Sequence, residues 1–198
     1  MSDAAGPPPA FTILLVCTGN ICRSALAEKL GRAYLDEALG QDASLVRLSS
    51  AGTQAVVGSA MHPDSALALR GFGGEAGDFR ARQLEDSMAA DADLTLTMTR
   101  RHRRGVLNGA PRAMARTFTL REAADLVQRI GDADFEGERL SDRARNLVRA
   151  MADARSQRQD GREDDVRDPI GQPLEVHDEV AGQIAAALLP VLRRIVEV

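Results

Sequence analysis

The chain has 198 residues, a formal net charge of −4 and a hydrophobic fraction of 44%. This length suffices for one domain with a sizeable core, and the negative charge argues against nucleic acid as a partner. The only two cysteines, Cys17 and Cys22, exclude a disulfide framework and indicate a reducing compartment. Residues 1–10 lack the basic start of a signal peptide, and no apolar run approaches the roughly 18 residues of a membrane span. We therefore expect a disordered tail at residues 1–10 and a cytoplasmic protein without membrane contact.

The first part of the chain predicts a strand, a loop, a helix and a second strand. Phe11 to Val16 is a short apolar run typical of a buried strand. From Ser24 onward apolar residues recur at helical spacing, at Leu26, Leu30, Ala33 and Tyr34. Leu45 to Ser50 then predicts a second strand, which completes a right-handed unit of two parallel strands joined by a helix.

The middle of the chain continues this alternation. Pro63 can open a short helix, and the alternating residues Leu94 to Met98 predict a third strand. Arg112 to Phe118 is a weaker fourth strand, and Thr119 begins a helix with a capping box. Together these elements predict an α/β fold: a doubly wound, flavodoxin-like, four-stranded parallel sheet flanked by helices on both faces, in a single domain.

Two further helices are predicted near the end of the chain. Residues 131–165 contain an amphipathic pattern followed by a charged run, Arg155 to Asp165, without apolar residues. We expect a helix and then a mobile loop, which either covers the active site as a lid or is a solvated elaboration. The last helix is predicted from about Leu174 to Val196, with a kink at Pro190.

The stretch from Val16 to Ser24, VCTGNICRS, combines a thiol, a phosphate-sized loop and an arginine. Cys17 and Arg23 are separated by five residues, which include Gly19 and Asn20, the two types that most easily take positive φ. Such a loop can curl so that its N–H groups point inward at a tetrahedral oxyanion, and the helix N-terminus adds positive potential. Arg23 can direct two of its donors onto the same anion.

These features predict a nucleophilic site. We expect Cys17 to be a thiolate and Ser24 to donate a hydrogen bond to its sulfur. The reaction favoured is phosphoryl transfer to sulfur followed by hydrolysis, which needs a general acid but no metal or other cofactor. His62, His102 and His177 lack metal-ligand spacing and are not predicted as ligands. The predicted substrate-binding residues are Thr18, Gly19, Asn20, Ile21, Cys22 and Ser24.

The motif V-C-T-G-N-I-C-R-S resembles the signature of the low-molecular-weight protein tyrosine phosphatases, C-x5-R-S with a Gly-Asn pair inside. The resemblance covers roughly residues 10–127 and 165–197. It continues, in the order of the family, through Ser50-Ala51-Gly52-Thr53, Ala81-Arg82-Gln83-Leu84, the strand ending at Met98 and Asp168-Pro169.

The resemblance implies that Asp168, in the stretch VRDPIGQP, is the general acid. It also implies a monomeric phosphatase domain over residues 11–198, with an insertion at about residues 131–165. The implied partner is a phosphotyrosine protein, for example a tyrosine kinase. Cys22 matches a second cysteine that in this family can form a reversible disulfide with the nucleophile, and simple packing under the loop is the alternative.

Three departures from the family pattern concern the substrate. Tyrosine-selective members usually place aromatic residues after Ser-Ala-Gly-Thr and after Asp-Pro, where this chain has residues 54–57, Gln-Ala-Val-Val, and Ile170. Phe79 stands where a supporting histidine often occurs. Ile21, however, resembles the tyrosine phosphatases, because arginine-phosphate phosphatases of this fold tend to carry threonine there. Phosphotyrosine in proteins is therefore the predicted substrate.

Two other functions stay open. Arsenate reductases of the same fold hold arsenate in this loop, and their thioredoxin-coupled forms need further cysteines downstream. Since no cysteine follows Cys22, only a reductase that depends on a small thiol is compatible. A phosphate-binding module without turnover is the other alternative, and the combination of Cys17, Arg23 and Asp168 argues against it.

Overall fold

The central sheet has four parallel strands in the order β2-β1-β3-β4. The computed structural model, which describes residues 11–131, 137–158, 161 and 163–196, gives the strands as β1 Phe11–Cys17, β2 Val46–Gly52, β3 Leu94–Thr97 and β4 Thr117–Thr119. The predicted doubly wound, flavodoxin-like sheet is confirmed. Such sheets bind ligands beyond the carboxyl ends of their strands, at the point where the strand order reverses. Cys17, the last residue of β1, lies at that point.

Helices cover both faces of this sheet. Side chains alternate along β1, so that Ile13 and Leu15 face the larger core while Leu14 and Val16 face the smaller one. A parallel sheet needs such cover on both faces, because neither face of its apolar strands can be left in water. The helices are α1 Arg23–Leu39, α2 Pro63–Arg70, α3 Asp86–Asp91, α4 Arg100–Gly109, α5 Leu120–Arg129, α6 Leu140–Ala154 and α7 Leu174–Val196.

Helix boundaries agree with local sequence signals. α2 begins at Pro63, as predicted. The predicted capping box of α5 is confirmed: Thr119 Oγ1 accepts from the Glu122 N–H, and a Glu122 carboxylate oxygen accepts from the Thr119 N–H, both at 3.1 Å. α7 has the predicted extent and contains Pro190. No helix in the described parts of the chain has an apolar stretch long enough to cross a membrane. The predicted tail, residues 1–10, lies outside the described residues.

The prediction of the fourth strand is wrong over most of its length. Residues Pro111–Arg116 form a 3-10 turn, and only Thr117–Thr119 pair with β3. The turn is held by the side chain of Arg116, which donates to the carbonyl oxygens of Ala92 and Ala90 at 2.8 and 2.6 Å. Because this long-range contact keeps residues 111–116 in the turn, β4 begins only at Thr117.

α6 supplies the helix predicted within residues 131–165. It buries Leu147 and Met151 completely in the larger core. It lies at the amino-terminal edge of the sheet, where Arg145 donates to a carboxylate oxygen of Asp93, the residue before β3, at 2.9 Å. Cys17 lies at the opposite edge. α6 is therefore neither a lid over Cys17 nor a solvated elaboration.

The charged run after α6 also differs from the predicted mobile loop. Arg158 donates to both carboxylate oxygens of Asp164 at 2.7 and 2.9 Å and to Asp125 of α5 at 2.7 Å. Arg155 lies 4.2 Å from the centre of the Phe118 ring and donates to Glu122 at 2.9 Å. Because partly buried charges persist only when paired, these contacts fix the described residues of the run against α5 and β4.

Candidate active site

The loop from Cys17 to Ser24 joins β1 to α1, as predicted. In a trans peptide the N–H points away from the carbonyl oxygen before it. Carbonyl oxygens bound from outside the loop therefore turn the N–H groups that follow them toward its interior. Four carbonyl oxygens are bound in this way by N–H groups of residues 53–62, at 2.7–3.0 Å, namely those of Cys17, Thr18, Gly19 and Ile21.

Two polar groups contact the sulfur of Cys17 inside the loop. Asn20 has φ 54°, the only positive φ of a non-glycine residue in the described chain, and its N–H lies 3.3 Å from Sγ of Cys17. The hydroxyl of Ser24 lies 2.9 Å from the same sulfur. Hydrogen bonds to a sulfur stabilise its anionic form. These contacts hold the sulfur at the base of the loop, and the nucleophilic role of Cys17 stays a prediction.

A buried network holds Asn20 in this conformation. Its Nδ2 donates to the hydroxyls of Ser24 and Ser50 at 2.9 and 2.8 Å, and its Oδ1 accepts from the Arg82 N–H at 2.8 Å. Asn20, Ser24 and Ser50 are each 0% exposed. Phe79 lies in the larger core, so the network is built from Ser50 and Arg82 and does not use the position where the family often has a histidine.

Gly52 explains why β2 ends in small residues. A Cβ atom on Gly52 would lie 2.3 Å from the carbonyl oxygen of Thr18 and 3.0 Å from the backbone nitrogen of Asn20. Any side chain here would displace the anion loop. The predicted close passage of the segment Ser50-Ala51-Gly52-Thr53 along the loop is therefore present.

Arg23 crosses from the loop to the segment that carries Asp168. Its side chain is 4% exposed, and its two Nη groups donate to the Val166 carbonyl at 3.1 Å and to a carboxylate oxygen of Asp168 at 2.5 Å. The Asp168 side chain is 43% exposed. The structure thus brings Asp168 to the loop of Cys17 and Arg23, although Arg23 and Asp168 are 145 residues apart in the sequence.

Three contacts position the segment before Asp168. Asp164 is bound by Arg158, and Asp165 accepts from the backbone N–H of Arg100 at 2.8 Å. The N–H of Val166 donates to the Met98 carbonyl at 2.8 Å, just beyond β3. The segment is therefore attached to the carboxyl edge of the sheet, which places Asp168 beside the anion loop.

His102 is a site residue that the sequence did not indicate. It is 5% exposed, its Nε2 lies 2.8 Å from the Thr18 hydroxyl, and its Nδ1 lies 2.9 Å from the Thr99 hydroxyl. Burial lowers the pKa of His102 to about 4, and the charge of Arg23 acts in the same direction. A neutral ring thus supports the loop from α4. One sequence signal was available: His102 lies four residues before the apolar Val106, and residues i and i+4 of a helix share a face, so His102 could have been placed on the buried face of α4.

A cavity of about 220 Å³ lies over the loop. Its outer walls are Gln54, Val56 and Ile170, the non-aromatic positions noted in the sequence. Larger cavities of about 480 and 500 Å³ involve α6, and no cysteine or histidine lines either of them. Lining the cavity over the loop are the predicted site residues Cys17, Thr18, Gly19, Ile21, Cys22, Arg23 and Asp168.

Cys22 and two histidines form a second group next to the loop. Cys17 and Cys22 are both free thiols, and both are buried. Burial raises the pKa of Cys22 to about 11. His62 and His177, separated by more than a hundred residues in sequence, come together beside Cys22. Sequence spacing alone could not have revealed this group.

Comparison with known proteins identifies the family. Residues 12–135 match the family model described as low molecular weight phosphotyrosine protein phosphatase. The chain is 36% identical over 91 residues to a probable low molecular weight protein-tyrosine-phosphatase, AmsI of Erwinia amylovora, and 36% identical over 105 residues to the low molecular weight protein-tyrosine-phosphatase of Streptomyces coelicolor. The matches cover 46% and 51% of this chain and 58% and 60% of those relatives.

Solved structures extend the likeness to nearly the whole fold. A low molecular weight protein tyrosine phosphatase from T. tengcongensis is 27% identical, with a TM-score of 0.66 over 92% of this chain and 98% of that one. The YwlE arginine phosphatase from Geobacillus stearothermophilus has the same TM-score over 92% and 91% at 24% identity, which shows a common fold. Together with the family model, these matches show that the chain belongs to the low molecular weight protein tyrosine phosphatase family, whose members are hydrolases of phosphomonoesters.

Proposed function

We propose that this chain removes phosphate from phosphotyrosine in proteins through a phosphocysteine intermediate. One observation carries the proposal: a sulfur that accepts from the Asn20 N–H and contacts the Ser24 hydroxyl lies at the base of a loop whose carbonyl oxygens are bound from outside, with Arg23 at its rim. This arrangement suits a tetrahedral dianion bound over a nucleophile. Residues 11–198 form the proposed catalytic domain, with an insertion at about residues 131–165.

Substrate binding changes the partner of Arg23. Without substrate, one Nη group of Arg23 binds Asp168. A phosphate group in the loop would accept from Arg23 and from the inward N–H groups, and it would displace the carboxylate from the guanidinium. Binding would therefore release Asp168 from Arg23, so that its carboxyl group can turn to the oxygen of the leaving group.

The two chemical steps then use the same three residues. The Cys17 thiolate attacks phosphorus, the bond between phosphorus and the tyrosine oxygen breaks, and Asp168 gives that oxygen its proton. Arg23 and the loop N–H groups stabilise the charge on the equatorial oxygens. In the second step Asp168 takes a proton from water, which attacks phosphorus. The P–S bond breaks, inorganic phosphate leaves and the thiolate is restored.

The walls of the cavity admit an aromatic ring without stacking on it. Val56 and Ile170 are about half exposed at the cavity mouth and offer apolar surface to both faces of a ring. Aromatic stacking, worth about 0.5–1.5 kcal/mol, is lost relative to aromatic walls. We infer a phosphorylated protein, such as a tyrosine kinase that carries phosphotyrosine, as the partner. The names of the curated relatives, which are protein tyrosine phosphatases, support this choice.

Steady-state hydrolysis tests the proposal. We expect metal-free turnover of an aryl phosphate and of a phosphotyrosine peptide by the wild type, and none by Cys17→Ser. A phosphoarginine peptide tests the alternative substrate. Arsenate is tested both as an inhibitor and as a substrate with a small thiol. Arsenate reduction without phosphatase turnover would establish the reductase, and phosphate binding without turnover would establish the binding module; either result would overturn the proposal.

A further inference from the structure

Three side chains from separate elements meet beside the anion loop. Cys22 precedes α1, His62 precedes α2 and His177 lies in the first turn of α7. Each offers one ligand atom, and the three ligand atoms lie within 4.8 Å of one another. The two imidazole rings stack with their centroids 4.8 Å apart. The phosphoryl-transfer mechanism uses none of these three side chains as acid, base or nucleophile.

His177 can bind a cation through Nε2. It is 1% exposed, its Nδ1 lies 2.9 Å from the Ser65 hydroxyl, and its Nε2 is buried without a hydrogen-bond partner in the described chain. Burial lowers the pKa of His177 and outweighs the opposing effect of the Pro169 backbone, so the ring is neutral at pH 7. In the tautomer whose Nδ1–H donates to the Ser65 hydroxyl, the ring has a lone pair at Nε2 for a cation. Histidines that bind metals are typically oriented by such a hydrogen bond at the other nitrogen.

His62 can supply the second imidazole ligand. Its Nδ1 accepts from the Asp64 N–H at 3.3 Å and lies 3.9 Å from an Asp64 carboxylate oxygen. In this contact Nδ1 carries the lone pair; for Nε2 to bind a cation the proton must move to Nδ1, which gives up the hydrogen bond from the Asp64 N–H and directs the proton at the carboxylate. The resulting order, carboxylate, histidine and metal, is common at metal sites. The ring is about one quarter exposed, which gives a cation a path to the group.

We propose that Cys22, His62 and His177 form a binding site for a divalent transition-metal cation of the zinc class. One thiolate and two imidazole nitrogens suit this class of cation. With metal–ligand bonds of about 2.0–2.3 Å, tetrahedral ligand atoms lie about 3.5 Å apart, so the side chains must approach by about 1 Å. As the S–metal bond forms, the Cys22 thiol loses its proton to solvent. Burial keeps that thiol neutral without metal, since it raises the pKa of Cys22 to about 11.

A cation here would join the loop to two helices. His62 already donates its backbone N–H to the Ile21 carbonyl at 2.7 Å, so α2 contacts the loop next to Cys22. Metal–ligand bonds would connect Cys22 to α2 through His62 and to α7 through His177, and they should raise the melting temperature. It would also prevent Cys22 from forming a disulfide with Cys17. Cys22 also lines the cavity over the anion loop, but none of the three ligands is an acid, base or nucleophile of the proposed reaction, so metal binding can be tested without phosphatase activity.

Cobalt binding to the Cys17→Ser protein tests this site without interference from the nucleophile. Under reducing conditions we expect one Co²⁺ per chain, absorption bands of a four-coordinate cobalt thiolate, displacement by Zn²⁺ and a higher melting temperature with Zn²⁺. Adding Cys22→Ser, His177→Asn or His62→Gln should lower the affinity at least about 100-fold, beyond the roughly 10–100-fold typical of loss of a supporting partner. Adding Arg104→Gln, which changes an exposed residue of α4, is the control and should leave the affinity unchanged.

Either of two results would overturn the site. One is the absence of stoichiometric binding by a Cys17→Ser protein whose circular dichroism shows it to be folded. The other is binding that survives Cys22→Ser and His62→Gln. His62 is partly exposed, so its variant decides the matter even where His177→Asn fails to fold. All these readouts come from a protein without the catalytic thiol, and their failure is therefore distinct from failure of the phosphatase proposal.

Discussion

The anion loop and the segment that carries Asp168 meet at one site but are fixed in different ways. The loop is held by hydrogen bonds among fully buried groups, including Asn20 and Ser50. The segment of Asp168 is held largely by ion pairs and backbone contacts, and the Asp168 side chain is 43% exposed. The difference implies that the anion site is preorganised, whereas the position of the acid depends on charged partners. One of these partners, Arg23, must also bind the phosphate of the substrate.

The largest expected loss of activity, and one that depends on the leaving group, should follow from replacing the general acid Asp168. Asp168→Asn removes the proton donor while keeping its size, so kcat/KM for a phosphotyrosine peptide, whose tyrosine is a poor leaving group, should fall by about 10²–10⁴-fold. For an aryl phosphate with an acidic phenol kcat/KM should fall much less, since its leaving group needs no proton. The measurement is kcat/KM across a series of phenols, because it reports the step that breaks the bond to the leaving group and not the later hydrolysis of phosphocysteine, which Asp168→Asn also slows. An equal loss across the series would contradict the assignment of Asp168 as general acid.

Arg23→Lys should impair every substrate alike. Lysine keeps the charge but cannot direct two donors at one anion while also contacting the Val166 carbonyl, so we expect kcat to fall by about 10²–10³-fold. In contrast to Asp168→Asn, this loss should be independent of the leaving group. Arg104→Gln, an exposed arginine of α4, serves as the control. A wild-type kcat in Arg23→Lys would show that the loop alone stabilises the transition state.

A smaller effect is expected from the ion pairs behind Asp168. Arg158→Gln leaves Asp164, which is 6% exposed, without its bidentate partner, so the free energy of unfolding should fall by about 1–3 kcal/mol. Turnover should fall by roughly 10-fold and more for poor leaving groups than for good ones, because the acid rather than the loop is displaced. Denaturant melts and the same series of phenols measure both. Unchanged stability would show that the pair contributes nothing net.

The pH dependence of stability should report on the support of the loop. The pKa of His102 is lowered to about 4 in the fold, whereas a free histidine has about 6.5. Between these values the unfolded chain binds a proton that the folded chain does not. Stability from the neutral ring is therefore complete above pH 6.5 and falls with decreasing pH toward 4, by up to about 1.4 kcal/mol per pH unit. His102→Gln should remove this component. Identical pH profiles of wild type and variant would contradict it.

Local sequence signals predicted most of the fold. The apolar run of β1, Pro63 at the start of α2 and the capping box at Thr119 all appear in the structure. The signals failed where distant groups decide. Arg116 holds a turn in place of an early fourth strand, and Arg158 fixes a charged run whose composition is typical of a mobile loop.

The site divides in the same way. Sequence placed Cys17 and Arg23 in one loop, because strand, loop and helix are contiguous. The likeness to the family then brought Asp168 to that loop, where an ion pair with Arg23 is found. His102 and the group around Cys22 were missed, since both depend on helices that meet only in the folded chain. A short helical spacing from Val106 was the only trace of the former.

The most direct test of the proposed mechanism is to trap phosphate on Cys17. Asp168→Asn should still form the intermediate from an aryl phosphate with a good leaving group, but it lacks the base that activates water, so the intermediate should accumulate. Rapid acid quench and peptide mass analysis should then find the mass of one phosphoryl group on the peptide that contains Cys17, and none in the protein that also carries Cys17→Ser. Release of phenol and phosphate with no phosphorylated Cys17 peptide at any time would contradict covalent catalysis by this loop.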